Sequence, residues 1–211
     1  MSEYKVDALY VSPSTIASVE GSGNAALVET LRGCADGLPE PLEGAVQRSV
    51  GRRAIAEAAV RIVQGEAPLD ASAPAFSFAR WLVAHAVSAG TPDPPWIGYP
   101  FVDLYAVNEV FRQRPYSRLT QFLEELGGEQ ADRLPLGEGT SFPLPGVGYA
   151  DPERLAAMAG EARAARRALE AEEDWTFDLD DDPEDLVQVF QWIEDAAGGE
   201  VALALFLTGD L

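Results

Sequence analysis

The chain holds one histidine, His85, one cysteine, Cys34, and one lysine, Lys5. A single cysteine excludes an internal disulfide framework and suits a reducing cytoplasm, the expected location. A single histidine excludes a zinc site built from histidines, and Cys34 adds only one further soft ligand, so no structural metal is expected. Arginine supplies the remaining positive charge, a substitution pattern that fits GC-rich codon usage better than any physical need. Long apolar runs are also missing: no segment approaches the length of a membrane-spanning helix. The opening MSEYKVD lacks a basic region followed by an apolar stretch, so no signal peptide is expected.

Basic residues are scarce as a class. Fifteen Lys and Arg face 35 Asp and Glu, a formal net charge of −20, and Arg167 is the last basic residue. A field of that sign repels phosphate backbones and anionic lipid, so neither a nucleic-acid partner nor a membrane is expected. It serves solubility, or it attracts a basic protein surface or a cation.

What is present is a globular composition, 47% hydrophobic over 211 residues, enough for one core and one domain, with any looser join at residues 91–100. The organising stretch is Val201–Leu207, an uncharged run after Gly198-Gly199 that reads as a strand buried on both faces. Its expected partner is Val6–Val11. The expected fold class is therefore α+β: mostly helical, with a small sheet pairing an N-terminal strand (about 5–11) with a C-terminal strand (about 200–207).

Helix signals fill the middle. Ser12-Pro13 opens a short helical turn, and Asn24 caps a helix running to Gly33. Gly21-Ser22-Gly23 lacks the Gly-Lys-Ser/Thr ending of a phosphate-binding loop and reads as a connector. A long helix follows, with Leu42, Val46, Val50, Ala54, Ala58 and Ile62 at steps of four, Ile55, Ala59 and Val63 beside them, and Arg48, Arg52, Glu57 and Arg61 off this stripe, ending at Gly65. The next carries Phe78, Trp81, Leu82, His85, Ala86 and Ala89 on one face and stops at Gly90. Thr91–Pro100 is dense in proline and reads as a surface loop anchored by Trp96 and Tyr99. Helices are expected again from 101 or 104 to 111 and from Pro115 to Gly127, then loop from Leu134 to Gly148. Asp151-Pro152-Glu153 is a strong helix start, with Arg163, Arg166 and Arg167 in its last turns, and Asp182-Pro183-Glu184 starts the final helix.

Few residues offer chemistry. His85 shares its helical face with Phe78, Trp81 and Leu82, which suits a partly buried core histidine; a base–nucleophile pairing with Cys34 or a serine is the alternative. Cys34 has only Arg32 nearby to lower its pKa. The acidic run from Glu170 to Asp185 is the dominant feature. Asp178, Asp180 and Asp182 have the spacing of a calcium-loop start, but Pro183 stands where glycine is needed and Val189 where a bidentate glutamate is needed. A catalytic carboxylate pair would need an apolar pocket to raise one pKa, which mutually exposed acids lack. A protein-facing surface fits best: Glu172, Glu173, Asp174, Asp178, Asp180 and Asp181 supply steering charge, and Trp175 and Phe177 supply aromatic anchors. The plain alternative is a solvated strip whose aromatics pin it to the core.

The VDALYV strand followed by Gly21-Ser22-Gly23, then Pro143-Leu144-Pro145-Gly146-Val147-Gly148-Tyr149 leading into Asp151-Pro152-Glu153-Arg154-Leu155, and a closing helix, glycine pair and apolar strand together resemble an uncharacterised, mainly actinobacterial family of small domains. The layout is more distantly similar to YfbM-like proteins. Phe206-Leu207 departs from the aromatic pair that often ends such chains. The resemblance implies an α+β fold, with no assigned activity, catalytic residue or cofactor. Small acidic proteins of this kind often serve as immunity or antitoxin partners. The functional expectation is a non-enzymatic, cofactor-free protein that binds a partner with a basic surface. The alternatives are a hydrolase using carboxylates or His85 in a cleft, and a structural subunit of an assembly.

Overall fold

Strand β1 (Tyr4–Val11) lies antiparallel to β5 (Ala202–Gly209) along its full length, from Tyr4 opposite Gly209 to Val11 opposite Ala202. The computed structural model describes residues 4–38, 51–66, 74–98, 116–127, 133–136, 146–171 and 184–209. Within them three more strands join this pair, all antiparallel. β2 (Ser88–Gly90) and β3 (Trp96–Gly98) pair with opposite ends of β1, and β4 (Gly146–Ala150) pairs with β5, giving the order β2-β1-β5-β4 with β3 also beside β1.

Helices cover both faces of the sheet, which is why β5 is apolar throughout and not alternating. Leu9, Val11, Val147, Ala202, Ala204 and Phe206 point into one core, with side chains from α1 (Pro13–Val19), α2 (Ala25–Gly33), α3 (Arg52–Gln64) and α4 (Pro74–Ala86). Val6, Ala8, Leu203, Leu205 and Leu207 point into a second core with α5 (Ser117–Leu126), α6 (Pro152–Ala171) and α7 (Glu184–Ala196). The fold is thus α+β and mostly helical, with the two expected strands at its centre.

Local signals place several helix starts correctly. The Asn24 carboxamide oxygen accepts from the backbone N–H of Ala26 and Leu27, and Asp151 accepts from the N–H of Arg154 at 2.8 Å. Tertiary contacts decide the rest. On α3 the buried face is Ile55, Ala56, Ala59, Val60, Ile62 and Val63, so Ile62 and the flanking Ile55, Ala59 and Val63 are buried as expected, while Ala54 is exposed and Ala58 half-buried. Residues 42–50, expected to begin this helix, and the helix expected between 101 and 111, lie outside the described residues. Every residue from Phe76 to Ala84 on α4 is buried, including Arg80, whose guanidinium donates to the carbonyls of Leu136 (2.7 Å) and Leu134 (3.2 Å).

Three strands were not expected. α4 ends at Ala86, and Ser88–Gly90 turns into β2 where the helix was to continue. The proline-dense loop enters the sheet as β3. Proline has no N–H to give, but the Pro95 carbonyl accepts from Ala8 N–H at 3.0 Å, and Ile97 is buried. Trp96 does not anchor the loop in the core. It is 44% exposed, with Lys5 Nζ 4.5 Å from the ring centroid. β4 replaces the end of an expected loop. α6 also runs to Ala171, so Arg163, Arg166 and Arg167 precede its last turn.

The Gly21-Ser22-Gly23 connector is a joint. Gly21 and Gly23 N–H donate to the carbonyls of Ile62 (3.1 Å) and Val63 (2.9 Å), fastening the α1–α2 turn to the end of α3. Gly65 caps that helix at φ +69°, and a Cβ there would lie 2.9 Å from Gly21 Cα.

Candidate functional site

The eight residues singled out for partner binding, Glu172, Glu173, Asp174, Trp175, Phe177, Asp178, Asp180 and Asp181, lie outside the described residues. Their place in the chain is the connection between α6 and α7, two helices packed against each other. Arg163 and Arg166, just upstream, both pair with Glu194 of α7, through Nε at 3.1 and 2.8 Å. The Arg166 hydrogen bond leads in holding the Glu194 carboxyl below its usual range, with Arg163 adding to it, against the opposing effect of burial. These arginines therefore tie the two helices together.

Other acids on this side of the sheet are also committed to structure. Glu161 of α6 accepts from the backbone N–H of Arg118 and Leu119, each at 3.0 Å, and from the Arg118 guanidinium at 3.3 Å. It thereby caps α5, whose own N-cap residue, Tyr116, gives no side-chain capping hydrogen bond to the helix. Glu125, with its side chain 1% exposed, receives both Arg154 Nη atoms and Arg133 Nε at 3.2 Å. Arg154 also donates to the Tyr149 carbonyl at 2.7 Å and stands over the Phe122 ring at 5.4 Å. A two-pronged guanidinium–carboxylate pair with its other donors engaged is the geometry that makes a buried charge tolerable.

Among the described residues, no hydrogen bond joins His85 to Cys34. His85 is half-buried and stacks on Trp81, ring centroids 5.0 Å apart and planes 18° apart; Trp81 in turn meets Phe206 edge-on. Burial lowers the imidazole pKa below 6.5. Cys34 donates its thiol to the Thr30 carbonyl at 3.4 Å, and burial raises its pKa above that of a free thiol. Among the described residues, no group of three or more His, Cys, Asp or Glu side chains is placed to hold a metal ion. No helix there is long and apolar enough to cross a membrane.

One concave feature was not foreseen. An open cleft of about 720 Å³ lies between α2 and α3. Ala35, Ala56 and Val60 line it with apolar atoms; Arg32, Asp36, Arg53, Glu57, Arg61 and Glu66 bring charge of both signs. In the sequence its only trace is the set of charged α3 residues, Glu57 and Arg61 among them, lying off the apolar stripe. The α2 contribution is supplied by folding.

Compared with family models, curated proteins and solved structures, the chain matches none.

Proposed function

We propose that the protein acts by binding another protein, one with a basic surface, through the acidic segment between α6 and α7. The observation that supports this reading is the concentration of ten acids between Glu170 and Asp185, with no basic residue after Arg167, in a chain of net charge −20. Glu125, Glu161 and Glu194, by contrast, have identifiable structural duties. In its sharper form, the protein neutralises or regulates a basic partner such as a nuclease-like toxin, in a reducing cytoplasm, as a member of the small-domain family it resembles. Trp175 and Phe177 supply the apolar anchors and the acids around them speed encounter.

The test begins with a partner captured from the native host and purified. Its affinity should fall steeply between about 0.05 and 0.5 M salt. Replacing Glu172, Glu173, Asp174 and Asp178 together by lysine should slow association by roughly tenfold or more, with less effect on dissociation. An affinity indifferent to salt and to these substitutions would refute the reading.

A further inference from the structure

Several charged groups of the cleft between α2 and α3 pair with neighbours close in the chain. Arg32 pairs with Glu29 on its own helix at 4.0 Å; Arg53 pairs with Glu57 at 3.2 Å, and Arg61 with Glu66 just past the end of α3 at 3.8 Å. None of these pairs bridges the gap. Exposed pairs of this kind are weak and readily exchanged for a better partner. Asp36, on the turn after α2, makes no ion pair among the described residues. Arg53, Glu57 and Arg61 follow one another at steps of four along α3, so positive and negative groups alternate along one wall. Beneath them, Ala35, Ala56 and Val60 leave room for a short hydrocarbon body. A volume of about 720 Å³ falls in the range of small-ligand sites.

The sign of the charge narrows the ligand. The lining is balanced, three arginines against three carboxylates, in a molecule where acids exceed bases 35 to 15. A purely anionic ligand meets long-range repulsion from the rest of the molecule, and a purely cationic one leaves the three guanidinium groups of the cleft without a counter-charge. A zwitterion engages both signs. We infer that the cleft binds a zwitterionic ligand, an aliphatic amino acid or short peptide. Its carboxylate lies against the forked donors of Arg32 or Arg53, its ammonium against Asp36, and its side chain over Ala56 and Val60. None of the lining residues belongs to the acidic segment, so the inference does not rest on that segment binding a partner.

The experiment uses the full chain, isotopically labelled, titrated with leucyl-leucine and followed by amide chemical shifts. Acetyl-leucine and leucinamide, which keep only one charge each, run in parallel. Saturable shifts at Arg32, Ala35, Arg53, Ala56 and Val60 are expected with the dipeptide, and at least roughly tenfold weaker binding with either analogue. Asp36→Asn and Arg53→Gln alter exposed side chains, so the fold should persist, as circular dichroism would check. Each should weaken the dipeptide by about tenfold. Absence of saturable shifts, equal binding of either singly charged analogue, or indifference to both substitutions would overturn the assignment.

Discussion

The ring of Phe122 closes on the backbone of Gly148: a Cβ built there would lie 3.0 Å from Cε2 and Cζ of the ring and 3.4 Å from Leu126 Cβ. The glycine lets α5 settle onto β4. Gly148→Ala should therefore destabilise the fold by about 1–3 kcal/mol, as extra volume does in a packed core. Phe122→Leu should recover part of that loss in the double variant. Urea unfolding of the four proteins gives the coupling, and strict additivity would show that the contact is not limiting.

Glu125 is the acid whose loss should matter most. Glu125→Ala leaves Arg154, only 12% exposed, without its carboxylate partner, and a loss of about 3–5 kcal/mol is expected. Arg133, more than half exposed, contributes the outer contact; Arg133→Ala should cost less than about 1 kcal/mol. Denaturant midpoints distinguish the two, and equal losses would contradict the geometry.

Because His85 is the only histidine, its titration is read without ambiguity from the imidazole resonances. Its pKa should fall below 6.5, since burial disfavours the charged ring. Between that lowered value and 6.5 the unfolded chain binds more protons than the folded one, so this stability is present above the unfolded value and is lost as pH falls. His85→Leu should flatten that part of the profile. A pKa at or above 6.5 would mean that stacking on Trp81 stabilises the cation more than burial penalises it.

Glu194 gives a second, more acidic window. Its carboxyl is held down chiefly by Arg166, then by Arg163, so its contribution is present above the unfolded value of 4.5 and disappears as pH falls through the lower folded one. Glu194→Gln should lower Tm at neutral pH, and the difference from the parent should shrink toward about pH 3. A constant difference across that range would assign the loss to packing instead.

The parts of this fold that could be read from sequence are those whose causes are local or repeated. Ser12, Asn24 and Asp151 announce helices because a cap acts within one turn, and the apolar runs at Val6 and Val201 announce strands because both faces are covered. β4 was hidden because two glycines in Gly146-Val147-Gly148 read as loop. The reason for the second is Phe122, which reaches Gly148 only through the tertiary fold. The N-terminus of α5 is capped by Glu161, forty-two and forty-three residues from the amides it serves, and no local pattern carries that. Glu125 reads as an ordinary surface acid on a helix until α6 brings Arg154 against it. The cleft needed two helices to be placed side by side. The acidic segment is the reverse case, plain in composition and outside the described residues.

The pairing of β1 with β5 also sets the order of events during synthesis. β1 leaves the ribosome before β5 and finds its main neighbour only after residue 209 has been made, since Tyr4 sits opposite Gly209. Until then the nascent chain presents Val6, Ala8, Leu9 and Val11 on a strand whose long edge has no native mate. The central pair of the sheet therefore closes only once that stretch has been made, and a contact of such long sequence separation is among the slower ones to form.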